Sequence, residues 1–299
     1  MSSANNLPSV VLVILTCNQK EVTLDCLKSL DASDYPAKEI VLVDNGSNDN
    51  TDHVVREKYP YVHIVKNDTN LGAAGGRNSG IHYARETFEF RYIMFMDNDI
   101  VVRPDFLTKL VAGLENRDDP SVEIASPMLY QQGTERIIDC AGGAQLNFYT
   151  GSTQTRGHGE EDRGQYAHDS YPRCVPTTVL MHRNALDRAG EFDVSFDPYG
   201  YEDLDFVLRA NIINTPYLFV PSAVVYHLGS KTGFSGYTAE YARVKGKNLR
   251  RFLKRHSSSG QWVCFNALLP LLGAKTVMRE LRRGNLDAVF SLAKGFLGK

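Results

Sequence analysis

The strongest constraint on this chain is an alternation in its first 115 residues, where short apolar runs and amphipathic helical segments follow one another four times. Val10-Val-Leu-Val-Ile-Leu15 is continuous and β-branched, the pattern of a strand covered on both faces in a parallel sheet. Lys20 to Leu30 brings Val22, Leu24, Cys26, Leu27 and Leu30 near helical spacing. Glu39–Val43, Val62–Val65 and Tyr92–Met96 read as further strands, and Asn50–Lys58, Gly72–Ala84 and Pro104–Leu114 as the helices between and after them. Such alternation predicts an α/β fold, a doubly wound and mostly parallel sheet. Beyond Val122 short strands are expected at Glu123–Pro127, Ile137–Cys140, Thr177–Met181, Tyr217–Val220 and Ala223–His227, with a helix from Glu202 to Asn211. Thr150 to Ser170, rich in Gly, His and charge, reads as a mobile loop.

An open α/β sheet binds its ligand outside the carboxyl ends of its strands. The polar groups falling there are Thr16-Cys17-Asn18, Asp44-Asn45-Gly46-Ser47, Asn67 to Asn70, and Asp97-Asn98-Asp99. Any one of these is also an ordinary set of turn residues; four at successive strand ends favour a site. Standard nucleotide motifs do not account for them. The first strand is not followed by Gly-x-Gly-x-x-Gly, Gly229-Ser-Lys-Thr232 lacks the spacing of a P-loop, and there is no His-Glu-x-x-His.

Asp97 and Asp99 lie at the mouth of an apolar strand, where two carboxylates are costly to desolvate without a positive partner. A Mg²⁺ or Mn²⁺ ion carrying a diphosphate is an economical one. A second acidic cluster, Asp197-Pro-Tyr-Gly-Tyr-Glu202-Asp203-Leu-Asp205, has two readings. It is either first-turn acidity that suits the helix dipole, or a general base held at a controlled pKa. His227 ends a strand, so it is either a half-buried polar residue or a third metal ligand. Cys17 lacks a base to activate it.

Taken in order, these segments resemble a family 2 glycosyltransferase of the GT-A fold over roughly residues 8 to 255. The resemblance rests on Val-Ile-Leu-Thr16-Cys-Asn18, Val-Asp44-Asn-Gly-Ser47, Asn70-Leu-Gly-Ala-Ala-Gly-Gly-Arg77-Asn78-Ser-Gly80, Asp97-Asn98-Asp99, Gly190-Glu-Phe-Asp193, Gly200-Tyr-Glu202-Asp203-Leu-Asp205 and Val-Tyr-His227. It implies a nucleoside-diphosphate sugar donor, carrying uridine or thymidine, and a glycan or lipid-linked acceptor. Thr16, Asn18 and Asp44 would then hold the base and ribose, while Asn70, Arg77, Asn78 and Asn98 line the nucleotide pocket. Arg77 has the alternative of pairing with an acidic neighbour. Asp97 and Asp99 would bind ribose and metal, Asp99 more directly, and His227 would complete the Mn²⁺ or Mg²⁺ site. Asp203 would be the base of an inverting single displacement, Glu202 the second choice, and Asp205 a group that orients its helix. Two other readings compete: a nucleotidyltransferase, which wants a basic Gly-rich loop after the first strand, and an inactive sugar-nucleotide or glycan-binding module.

The implied organisation is a catalytic region over 1–236, with a nucleotide-binding half at 1–120 and an acceptor half at 121–236, followed by a basic helical extension at 237–299. The near-neutral formal charge of -2 conceals the contrast between them. Residues 243–299 hold 13 Lys and Arg against two acids, leaving positions 1–242 with 20 basic and 33 acidic residues. A basic stretch beside an apolar segment too short to span, Trp262 to Ala274, reads as an anchor on anionic lipid or as a docking surface for the acidic body or a second subunit in a homodimer. Nucleic acid is disfavoured, because no recognisable fold or stacking platform accompanies the charge. Met1 to Pro8 is polar and the five cysteines are scattered, which together predict a reduced, cytoplasmic setting, at the inner membrane face if the extension meets lipid.

Overall fold

The computed structural model describes residues 7–134, 136–172, 178–210, 216–229, 238–282 and 285–297. Cys174, Thr177, Asn211 and the stretch 230–237, which figure in the sequence reading, lie outside them. The first half follows the expected alternation: β1 (Val10–Thr16), α1 (Lys20–Asp31), β2 (Lys38–Asn45), α2 (Thr51–Lys58), β3 (His63–Asn67), α3 (Gly72–Thr87), β4 (Tyr92–Asp97), β5 (Ile100–Val102) and α4 (Phe106–Glu115). Then come β6 (Ile124–Gln131), β7 (Ile138–Ala141), β8 (Ala144–Asn147), β9 (Ser152–Thr155), β10 (Val179–His182), α5 (Arg183–Ala189), α6 (Glu202–Arg209) and β11 (Leu218–His227). Three helices close the chain, α7 (Ala239–His256), α8 (Ser259–Arg282) and α9 (Leu286–Leu297).

Among the described residues one sheet runs in the order β3-β2-β1-β4-β10-β6-β11-β5, with β7 against β6. β3-β2-β1-β4 is wholly parallel, as is β6 with β11. β10 enters antiparallel between β4 and β6, so the second half of the sheet is mixed. The continuous apolar runs are explained by burial on both faces. Val11 and Val13 of β1 join one core cluster, whereas Val10, Leu12 and Ile14 join another, as the two-residue period of a strand requires. α3 packs closely on β1 because of its glycines: a Cβ at Gly80 would lie 2.4 Å from Val13 Cγ1.

Three expectations change. The segment Thr150 to Ser170 is not a free loop. It contains β9, which forms a hairpin with β8, and it bridges back to Ile137 through Glu161 and to Phe219 through Ser170. Its glycines make turns at positive φ that bring backbone groups into those bonds; apolar spacing carries no sign of this. The two strands foreseen around Pro221 are one strand, β11, whose register on β6 shifts between Val220 and Val224, because proline offers no N–H to the ladder. Lastly, α7 is part of the body: Phe252 and Leu253 sit in the same core cluster as β1, β4 and α6.

Candidate active site

Parallel registry collects the polar strand ends on one edge. Thr16 stands opposite Asp44, Leu15 opposite Asp97, and Asn45 opposite Asn67. Some of these groups build the edge and others are left facing an unfilled need. Thr16 and Asn98 are buried and bonded to each other and to Thr23, Asn98 Nδ2 donating to the two hydroxyls at 3.3 and 3.0 Å. Asn18 Oδ1 accepts from the Asn48 N–H at 2.8 Å. Asp44 is wholly buried, and one of its oxygens accepts from the Ser47 N–H. Its other oxygen, Oδ2, is buried without a partner.

The loop before α3 is organised by Asn45, which the sequence reading named only as part of a cluster. Its amide donates to Asn70 Oδ1 and the Gly72 carbonyl and accepts from Asn67 and the Leu71 N–H, all at 3.0–3.1 Å. Asn78, foreseen in the nucleotide pocket, is taken up at both ends of its amide by the backbone of Phe192, at 2.9 and 2.8 Å. Asp197 reaches across to the start of α3, where it accepts from the N–H groups of Ala74 and Gly75. Its neighbour there, Gly72, has φ +82°, and a Cβ would fall 2.4 Å from the Asp197 carboxyl carbon. Part of the second acidic cluster therefore caps a helix more than a hundred residues upstream, a contact no local pattern announces.

Arg77 sits between the acids. Its guanidinium donates to Asp97 Oδ1 at 2.8 Å and to Glu202 Oε1 at 2.9 Å, and lies 5.5 Å from the centre of the Phe192 ring. Burial opposes its charge, but Asp97, Glu202 and Asp203 outweigh that and hold it protonated. Arg77 makes the pairing named as its alternative and also lines the cavity beside Asp203. Asp203 lines a small cavity of about 50 Å³ with Arg77, Asp97, Phe95 and Phe192. One of its oxygens accepts from the Leu204 N–H, and it has no ion pair among the described residues. Burial first, then the charge of Glu202, raises its pKa well above the usual carboxylate range, against the pull of Arg77. Glu202 is buried on its Arg77 bond and leaves Oε2 unpartnered.

Asp99 turns the other way, toward β11. Its Oδ2 lies 3.3 Å from His227 Nε2, while Oδ1 is buried without a partner among the described residues. The remaining nitrogen of His227 meets Asp139 Oδ2 at 2.9 Å. Hydrogen bonds to Asp139 and Asp99 push the His227 pKa up to about 10, despite burial. Asp139, on β7, was not foreseen; it belongs to no motif, and only the pairing of β7 with β6 carries it beside β11. Among the described residues no three His, Cys, Asp or Glu side chains are arranged to hold a metal ion. The pair Asp99 and His227 nonetheless fits a divalent cation that takes its other ligands from phosphate and water, and the orphaned Oδ1 supplies a donor. Cys17 is no nucleophile: burial and the charge of Asp44 push its thiol up.

The loop that carries Glu202 and Asp203 is braced from α7. Asn248 Nδ2 donates to the carbonyls of Phe196, Tyr199 and Gly200, at 2.5, 2.9 and 3.1 Å. Asp205, wholly buried, is held by Arg209, Arg255 and His256 at 2.7–2.8 Å. The helix-orienting part foreseen for Asp205 has this form.

A model of the family described as Glycosyl transferase family 2 matches residues 11–189. Poly-beta-1,6-N-acetyl-D-glucosamine synthase of Staphylococcus epidermidis is 35% identical over 95 residues, 31% of this chain and 22% of that protein. Succinoglycan biosynthesis protein ExoO of Rhizobium meliloti is 32% identical over 122 residues, 40% of this chain and 33% of that one. The chain thus matches a third or less of the length of these two relatives. Among solved structures, the mannosyltransferase PcManGT from Pyrobaculum calidifontis, in complex with GDP-Man and Mn²⁺, superposes with a TM-score of 0.57 at 17% identity, over 98% of this chain and 88% of that one. GalNAc-T7 with UDP, GalNAc and Mn²⁺ gives a TM-score of 0.62 at 18% identity, over 84% of this chain and 48% of that one. At these identities the likeness is one of fold, the GT-A architecture.

Proposed function

The chain belongs to glycosyl transferase family 2, and from that membership we propose that it moves a sugar from a uridine or thymidine diphosphate donor to a hydroxyl of a glycan or lipid-linked acceptor, with inversion. One observation carries the reading: three buried carboxylate oxygens at the ligand-binding edge, Asp44 Oδ2, Asp99 Oδ1 and Glu202 Oε2, have no partner among the described residues. Each such group costs about 1–3 kcal/mol if left unmet. A nucleotide base N–H, a cation and a sugar hydroxyl would satisfy them together.

In this reading Asp44 accepts from the base, and Asp99 with His227 holds Mn²⁺ or Mg²⁺. The bound cation supplies Lewis-acid neutralisation of the departing diphosphate. Asp203 takes the proton of the acceptor hydroxyl, since it lines the cavity and lacks an ion pair. Glu202 and Asp97 are tied to Arg77 and serve to position it and to shape the pocket. The test is thermal stabilisation by UDP, dTDP and GDP with and without Mn²⁺, followed by product analysis with the corresponding sugar donors. Metal-dependent stabilisation and release of nucleoside diphosphate are expected. Pyrophosphate release from a nucleoside triphosphate would favour the nucleotidyltransferase, and binding without turnover the inactive module.

Asp99→Ala should bring nucleotide affinity in Mn²⁺ down to its metal-free level, measured by titration. Asp139→Asn, which unseats His227 without touching the cation, should weaken Mn²⁺ binding by about 10–100-fold.

No helix among the described residues is long and apolar enough to cross a membrane. Several cations of the extension are spent on the body, Arg255 on Asp193 and Asp205 above all. Yet α8 exposes Val263 and Leu271 and α9 exposes Phe290, each by 64–70%, in the basic part of the chain. We assign this stripe to contact with an anionic lipid surface, where apolar area and nearby cations act together. Substituting Val263, Leu271 and Phe290 together by Asp should abolish flotation with vesicles containing phosphatidylglycerol, while nucleotide binding persists. Unchanged flotation would remove the assignment.

A further inference from the structure

We propose that the outer face of the β8–β9 hairpin is a subsite for an uncharged glycan chain, the acceptor side of the reaction; the acceptor role rests on the transferase reading above. The register pairs Gln145 with Gln154 and Asn147 with Ser152. Alternation along each strand puts these four side chains on one face of the hairpin. With Tyr149 and Gln261, the latter from the first turn of α8, they border a cavity of about 410 Å³, within the roughly 300–1,000 Å³ range of small-ligand sites. No side chain bordering it bears a formal charge at neutral pH.

The polar atoms there are largely uncommitted. The amides of Gln145 and Gln154 have no partner among the described residues, while Asn147 Oδ1 accepts from Tyr149 and Thr150 N–H and Gln261 Oε1 from Ser258 N–H. The latter three bonds fix the Asn147 and Gln261 amides in place and leave their NH₂ groups without a partner among the described residues. A row of amides offers paired donors and acceptors, which matches the vicinal hydroxyls of a sugar. Tyr149, 51% exposed, adds a rigid flat face beside them. A phosphate, sulfate or uronic acid would call for an Arg or Lys, and none lines the groove.

Two apolar side chains that also border the groove, Leu146 and Phe148, connect it to the interior. Leu146 and Phe148 share a pocket wall with Tyr201, the residue before Glu202, and Phe148 stacks on Phe252 at 6.2 Å. The groove and the segment leading into Asp203 thus have these two side chains as a common wall.

The test uses the full chain and the double variant Gln145→Ala/Gln154→Ala, with Tyr149→Ala as a second variant. Binding of chitotetraose, cellotetraose, mannotetraose and tetragalacturonate is measured by calorimetry and saturation-transfer NMR. At least one neutral tetraose should bind, at least tenfold more weakly in both variants, and tetragalacturonate should not. Donor hydrolysis without acceptor should stay within twofold, and in a transfer assay KM for the oligosaccharide should rise with kcat unchanged. Binding by no neutral tetraose, equal binding by the variants, preference for tetragalacturonate, or self-association lost on substitution would each overturn the subsite. Failure of donor hydrolysis in the unaltered chain would instead overturn the transferase reading and leave the binding result standing.

Discussion

Asp203→Asn should lower turnover by about 10²–10⁴-fold, the range for loss of a positioned general base, while nucleoside diphosphate binds as before. The substitution keeps the shape and the oxygen that accepts from the Leu204 N–H. It removes the negative charge that, in the proposed mechanism, receives the acceptor proton. The neighbouring candidate cannot take over, because Glu202 is committed to Arg77 at 2.9 Å. Turnover by the variant close to that of the parent protein would refute the assignment.

The same group fixes a pH dependence. Burial and the charge of Glu202 hold its pKa above the usual range, and only the deprotonated form can act as base. The rate should therefore climb with pH, with an apparent pKa well above the ~4 of an ordinary carboxylate. A rate already flat from pH 5 upward would show that a carboxylate of ordinary pKa does the work.

Asp205→Ala should be strongly destabilising, costing about 3–5 kcal/mol, as when one partner of a buried ion pair is removed. Two arginines and His256 converge on this wholly buried carboxylate, and Arg255 and His256 come from α7. Burial alone would raise its pKa; hydrogen bonds from His256, Arg209 and Arg255 outweigh it and bring the pKa below normal. A carboxylate whose folded pKa is depressed stabilises the fold above its unfolded pKa of ~3.9 and loses that contribution as the pH falls through the folded value. Urea midpoints should thus drop for the variant at neutral pH, and the gap to the parent should narrow in acid. A midpoint unchanged at pH 7 would show that the network carries no net stability.

What the amino-acid order revealed, and what it concealed, follow from how far each contact reaches. β1, β2 and β4 are legible because a strand buried on both faces is apolar along its buried length, and Val10–Leu15 or Tyr92–Met96 can hardly be anything else. The strand-end groups follow from the same pattern, since parallel registry places Asp44 and Asp97 beside β1 whatever the loops do. β8 and β9 are four residues each and mostly polar, so no hydrophobic period marks them. Asp139 and the Asp197 cap were hidden for another reason. Each meets its partner only through tertiary pairing, Asp139 with His227 and Asp197 with the start of α3. Asn78 illustrates a third case: the motif is real, but its amide serves Phe192.

The grip of Asn248 on three carbonyls of the 196–200 segment limits how the protein can be re-engineered. An attempt to graft a different C-terminal module onto this chain, or to shorten it for expression, has to keep the native sequence through His256. A junction placed earlier would free the turn that leads into Asp203, the proposed base, and the chimera should lose turnover even though every strand of the sheet remained intact.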